Sequence, residues 1–176
     1  MLPKVERSRR VYDGKVVNLR VDTLRNGDRK THDAEVVEHA EAVVVIVQPQ
    51  PHEMLLVRQY RHPLEREHWE VVAGSMAPGE TPPEAALREL REETGYRGHR
   101  VERLFSAYSA PGFCDELLHF CVVHGYDIGD PEYDEGEEGM QLGIFTIDDL
   151  WRKIRANELA DAKTTVAVLW ALNARA

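Results

Sequence analysis

The sequence predicts an α/β/α sandwich built on a mixed β-sheet and preceded by a small N-terminal antiparallel sheet. Three observations carry that expectation. Short β-type runs recur from residue 8 to residue 147, one acidic segment in mid-chain has helical spacing, and two further helical segments close the chain. A chain of 176 residues is long enough for one well-buried core and short for two. The expected organisation is a set of N-terminal strands over 1–40 and one principal domain over 41–176.

The elements follow in order. Arg10 to Tyr12, Val16 to Leu24 and Ala34 to His39 are β-type segments, with a turn signal at Asn26-Gly27-Asp28. Ala42 to Gln48 is β-branched and nearly continuous, as expected of a strand covered on both faces. Pro49 to His52 turns the chain, and Met54 to Tyr60 is expected as the hairpin partner of the preceding strand. Trp69 to Ala73 reads as a third strand, leading into a loop from Gly74 to Gly79. Arg103 to Ala110 and Glu116 to Val123 are two more strands around Pro111-Gly112, and Leu142 to Ile147 is another. Between the last two lies Asp127 to Gly139, rich in acids and glycine. Asp148 to Leu159 and Asp161 to Ala174 each begin with an N-cap aspartate. Leu150, Trp151, Ile154, Val166, Leu169 and Trp170 give them helical apolar spacing. There is no internal repeat and no low-complexity linker.

The mid-chain helix has defined limits. Thr81 with Glu84 forms a capping box, Pro82 takes the first helical position, and Gly95 supplies a left-handed stop, so the helix spans Pro82 to Thr94. At about 100° per residue, Glu89, Glu92 and Glu93 share one side, while Pro83, Ala86, Leu87 and Leu90 share a neighbouring side suited to a core. Arg88 lies four residues from both Glu84 and Glu92 and offsets only part of the repulsion. The remaining charge calls for a cation. Oxygen-only ligands point to a hard ion, Mg²⁺ or Mn²⁺, and such ions bind substrate phosphates, so a diphosphate substrate follows.

Composition narrows the classes. With 22 basic against 31 acidic residues the net charge is −9, which argues against a general nucleic-acid binder and against an anionic membrane surface. Cys114 and Cys121 are the only cysteines, without a CxxC, and no HExxH is present, so neither a disulfide scaffold nor a zinc site is suggested. The N-terminus has no apolar segment of signal-peptide type, and no run approaches the ~18 apolar residues of a membrane helix. A cytoplasmic protein with buried thiols is expected. Two other chemistries fail on their central residues. Gly74 and Gly79 have P-loop spacing, but Glu80 stands where a lysine is needed. Ser75 lacks the GxSxG context and an assignable base.

The stretch Gly74, five residues, Glu80, seven residues, then Arg88-Glu89-Leu90-Arg91-Glu92-Glu93-Thr94-Gly95-Tyr96 resembles the Nudix box at every specified position. Leu56 to Arg61, and Ser109 to Phe113 followed by Asp115-Glu116, are similar to the ADP-ribose pyrophosphatase branch of that family. Pro111 falls sixteen residues after Gly95, the branch's proline spacing. The resemblance extends over roughly Val36 to Ala174 and implies the Nudix α/β/α fold.

The resemblance also implies roles. Glu89 and Glu93 match the metal-holding glutamates, Glu92 the one that supports or shares the metals, and Ala73 a residue whose carbonyl joins the shell. Arg88 orients the glutamates. Glu138, placed by aligning the ends of the final strand and adjacent to Glu135 and Glu137, matches the catalytic base or third metal ligand. Arg58 and Arg61 suit phosphates by bidentate contact, and Glu70, Pro111, Phe113 and Glu116 complete the substrate site. Glu70-Val71-Val72-Ala73-Gly74 departs from the usual Glu-Leu-Pro-Ala-Gly by losing the proline. Val16, Val17 and His32 stand where some relatives have adenine-sandwiching aromatics. The implied activity is Mg²⁺-dependent hydrolysis of a nucleoside diphosphate sugar, with ADP-ribose giving AMP and ribose 5-phosphate as first candidate. A GDP- or UDP-sugar, or a non-catalytic nucleotide-sugar sensor, are the alternatives. A homodimer with exchanged N-terminal strands is implied as well.

Overall fold

A computed structural model describes residues 2–27, 30–132 and 139–174. The chain divides into two compact units, one of Met1–Ala42 with Ser106–Leu118 and one of Val43–Phe105 with His119–Ala176. In the first, β1 (Lys4–Asp13), β2 (Val17–Arg25) and β3 (His32–His39) form an antiparallel sheet in that order. The sequence predicts only Arg10 to Tyr12 of β1. The rest of that strand, KVERSR, lacks the apolar alternation of a half-buried strand because all ten residues are exposed. Its backbone ladder to β2 holds it, and ion pairs run alongside from Glu6 to Arg25 on β2 and from Arg10 to Glu38 on β3.

Residues 110–116 join the same unit. Phe113 N and Cys114 N donate to Ala110 O at 3.1 and 2.9 Å. Val37 N then donates to Phe113 O at 2.7 Å, Asp115 N to Val37 O at 3.2 Å, and His39 N to Asp115 Oδ1 at 2.9 Å.

The second unit contains two sheets. β4 (Ala42–Val47), β7 (Val72–Ser75), β8 (Tyr96–Tyr108) and β9 (Leu117–Ile128) give the order β7-β4-β9-β8, and β5 (Glu53–Arg61), β6 (Arg66–Glu70) and β10 (Gln141–Thr146) give β10-β5-β6. This overturns the expected β4–β5 hairpin. All six residues of β4 are buried, and so are Met54, Leu55, Leu56 and Val57 of β5. Each segment has the character of a central strand and takes neighbours on both edges, which a simple hairpin denies to one edge of each. The turn closed by Glu53 N on Gln50 O at 2.9 Å therefore carries the chain from one sheet to the other.

The expected strand Trp69 to Ala73 is likewise two strands. It breaks at Val71, whose N–H donates to Thr164 Oγ1 at 2.9 Å rather than to a ladder. Helix α1 (Pro82–Thr94) has the predicted bounds: Glu84 Oε2 accepts Thr81 N at 2.9 Å, and Gly95 closes the helix at φ 76°. Helix α2 (Ile147–Arg155) starts before Asp148, because Thr146 Oγ1 accepts Asp149 N at 3.1 Å and so caps it. Asp161 caps α3 (Ala162–Asn173) as expected.

The core sits where α1 meets the strands. Ala85, Ala86 and Leu90 join Val43, Val45 and Val47 of β4, Leu55 and Val57 of β5, Val72, Cys121 and Val123 in one buried cluster. Val44 and Ile46, on the other face of β4, are equally inaccessible. Burial pushes the Cys121 thiol up to about 11, so it is an inert apolar group at neutral pH. The α/β class and the small N-terminal antiparallel sheet agree with the sequence.

Candidate active site

β7 delivers the chain to Gly74, and α1 returns along it. A Cβ on residue 74 would lie 2.1 to 2.3 Å from the carboxyl atoms of Glu89. Only glycine leaves room for that carboxylate against the strand. Glu89 and Glu93 are 6 % and 1 % exposed, which is rare for glutamates and requires compensation.

Arg88 supplies much of it. Its Nε and Nη2 donate to the two oxygens of Glu80, both at 2.9 Å, and Nη2 also donates to Ser75 O at 2.9 Å. Nη1 donates to Glu89 Oε1 at 2.7 Å and to Glu92 Oε2 at 2.8 Å. One planar guanidinium thus gathers three carboxylates and the loop carbonyl. Hydrogen bonding to Glu80, then to Glu89 and Glu92, raises the Arg88 pKa further, and Arg88 in turn lowers that of Glu80. The bond of Arg88 to Glu92 is the expected one turn of helix, whereas Glu84 serves the cap and Glu80, eight residues away, takes the second place.

Arg91 Nη2 also approaches Glu92 Oε1 at 3.8 Å, so five glutamates, Glu80, Glu84, Glu89, Glu92 and Glu93, stand on this loop and helix against two arginines. Among the described residues no set of three His, Cys, Asp or Glu side chains is drawn together as a metal cage. Arg88 directs Glu89 and Glu92 toward itself. The donor set, carboxylates beside the backbone of Ala73 to Ser75, nevertheless has the all-oxygen chemistry that suits a hard divalent ion.

A second polar cluster lies on β5, β6 and α3. Arg61 Nε donates to Glu70 Oε1 at 2.7 Å and Arg61 Nη2 to Glu70 Oε2 at 2.8 Å. Lys163 Nζ donates to the same Oε2 at 2.7 Å and to Asp161 Oδ1 at 2.9 Å. Burial opposes ionisation of Glu70, but Arg61 and Lys163 outweigh it and hold the carboxyl at about 2. Arg58 pairs with Glu67 at 2.5 Å and stands over the Trp69 ring at 6.0 Å.

The structure therefore brings together Ala73, Gly74, Arg88, Glu89, Glu92 and Glu93 on one loop and helix, with Arg61 and Glu70 paired on adjacent strands. Pro111, Phe113 and Glu116 belong to the other unit, where Phe113 is 59 % exposed and Glu116 lies 3.5 Å from His39 Nδ1. Glu138 falls outside the described residues, as do Glu135 and Glu137. Lys163, Asp161 and Thr164 are absent from the sequence-based site, since 93 residues separate Lys163 from Glu70 and no local pattern marks the contact.

A glycine loop feeding an acidic helix on an α/β fold, with Arg61 and Glu70 paired on adjacent strands, is the arrangement this chain presents. The NUDIX domain model matches residues 38–167, and the chain belongs to that family. A methanol dehydrogenase activator of Bacillus methanolicus is 36 % identical over 168 residues, covering 94 % of this chain and 90 % of its own. An ADP-ribose pyrophosphatase of Bacillus subtilis (strain 168) is 34 % identical, covering 90 % and 86 % respectively. An ADP-ribose pyrophosphatase of Mycobacterium tuberculosis is 32 % identical, covering 92 % and 79 %. Among the described residues no helix is long and apolar enough to cross a membrane.

Proposed function

We propose that this chain is a Nudix pyrophosphatase that cleaves the diphosphate of a nucleoside diphosphate sugar, with ADP-ribose giving AMP and ribose 5-phosphate. The observation that carries the reading is the carboxylate cluster of α1 seated on Gly74 beside Ala73. The two ADP-ribose pyrophosphatase relatives support the substrate.

Glu89, Glu93 and the carbonyl of Ala73 would hold the divalent ion, with Glu92 supporting or sharing it, and Mg²⁺ or Mn²⁺ suits these oxygens. Such an ion neutralises the diphosphate and lowers the pKa of an attacking water. The chain's own residues do the rest. Arg88 keeps Glu80, Glu89 and Glu92 from repelling one another and fixes the loop through Ser75 O. Arg61 and Arg58 are the phosphate-binding candidates, and Glu70 sets the direction of Arg61. Water attacks phosphorus, the bridging P–O bond breaks, and the proton passes to a box glutamate or to Glu138, which is assigned here from the resemblance alone. Pro111, Phe113 and Glu116 are assigned to the substrate on the same basis.

The assembly proposed is a homodimer with exchanged N-terminal strands. The exposure of all ten residues of β1, with Val5, Val11 and Tyr12 about half exposed, supports a partner there. Phosphate release from ADP-ribose, GDP-mannose, UDP-glucose and NADH, coupled to a phosphatase, tests the function with Mg²⁺, with Mn²⁺ and with EDTA. Metal-dependent turnover of ADP-ribose is expected. Turnover of another member alone would replace the substrate, and binding without turnover would leave a nucleotide-sugar sensor.

A further inference from the structure

We infer that Lys163 is a positioning residue: with Asp161 it holds Glu70, and through Glu70 the Arg61 guanidinium, so that Arg61 Nη1 faces an anionic oxygen of the substrate diphosphate. This inference rests on the function proposed above.

Lys163 stands in an unfavourable place for a cation. Lys163 is in the first turn of α3, where the helix dipole disfavours a cation, and its side chain is only 19 % exposed. Two acids compensate, Glu70 Oε2 at 2.7 Å and Asp161 Oδ1 at 2.9 Å. The other oxygen of Asp161 caps the helix through Thr164 N at 2.9 Å and Thr164 Oγ1 at 2.6 Å, and Thr164 Oγ1 accepts Val71 N at 2.9 Å. The start of α3 is thereby tied to two successive residues, Glu70 and Val71, just before Ala73 and Gly74.

Docking α3 alone would need only the bond from Val71 to the fully buried Thr164. Lys163 does something else. Arg61 and Glu70 already neutralise each other, so the lysine adds a charge that Asp161 must balance, and its effect is to fix Glu70 through Oε2, the oxygen it shares with Arg61 Nη2. Glu70 then grips the Nε and Nη2 edge of Arg61 with both oxygens. The planar fork leaves Nη1 directed away from Glu70, and no described residue accepts from it.

The test uses the full chain with Lys163→Met and Lys163→Arg. Lys163→Met should raise KM for ADP-ribose with Mg²⁺ about tenfold while kcat stays within about twofold, as for lost ground-state binding. Calorimetric affinity for ADP-ribose in EDTA should fall by about the same factor, and Lys163→Arg should restore both to within about threefold. Lys163→Gln, which keeps a donor without the charge, carries the same expectation as the methionine variant and replaces it if that variant does not fold. Unchanged KM and affinity in Lys163→Met would overturn the inference, and so would an arginine variant no better than the methionine one. Wild-type protein that binds ADP-ribose without turning it over would sink the hydrolase reading and leave the affinity series to decide this one. Neither binding nor turnover would sink both.

Discussion

Glu93 is almost wholly buried on α1, and replacing it separates chemistry from folding. Glu93→Gln keeps size and shape and is expected to lower turnover about a hundredfold or more, because one preorganised charge at a reacting phosphoryl group is worth that much. Its melting temperature should stay within about 4 °C of wild type. Near-normal turnover at saturating Mg²⁺ would remove Glu93 from the metal site. Glu70 makes a prediction in pH. Its carboxyl is held at about 2 against an ordinary 4.5, burial being outweighed by Arg61 and Lys163. A lowered pKa in the folded state contributes stability that is complete above the ordinary value and lost as pH falls toward the folded one. Thermal melts should therefore show wild type losing up to about 3 kcal/mol between roughly pH 5 and pH 2 through this group alone. Glu70→Gln should melt lower at pH 7, where two partly buried cations lose their acid, and its curve should be flatter through the acid range. Parallel curves for the two proteins would show that Glu70 is not the group titrating.

At the scale of the element, α1 and its loop were the most legible part of the chain. Capping box, first-turn proline and terminal glycine are local signals, and they set both ends of the helix as observed. The two glycines flanking it act differently. Gly74→Ala should disrupt activity more than stability, since its methyl group would meet the Glu89 carboxyl at 2.1 Å and turn that side chain out of place. Gly95→Ala should destabilise by at least about 2 kcal/mol, because φ is +76° and a Cβ would lie 2.2 Å from Gly129 O. Denaturant melts and turnover of the two variants check the contrast, and equal losses of stability would contradict it. The strands were less legible. β4 announced a strand covered on both faces and β5 its hairpin partner, yet periodicity does not say which neighbour a strand takes, and the expected hairpin became two sheets. The break at Val71 had no local signal, since the acceptor for its N–H is on α3.

For the whole molecule, the proposed dimer gives a size prediction. Light scattering should return twice the chain mass, and deleting residues 2–13 should reduce it to one, because all ten residues of β1 are exposed within their own unit and the proposed exchange runs through this strand. A full-length monomer would refute the exchange of N-terminal strands.

The residues themselves determined the acidic helix, its glycine seat, the preference for hard-cation chemistry and the family, because those depend on spacings within about twenty residues of chain. Only the tertiary structure decided which acids Arg88 gathers, that Glu70 lies between Arg61 and Lys163, and that β5 leaves β4 for β6 and β10. Local sequence encodes rotation about a helix or strand axis, and that sets which side chains share a face. Contacts between residues as far apart as Glu70 and Lys163 depend on how separate elements pack, and no spacing along the chain records that.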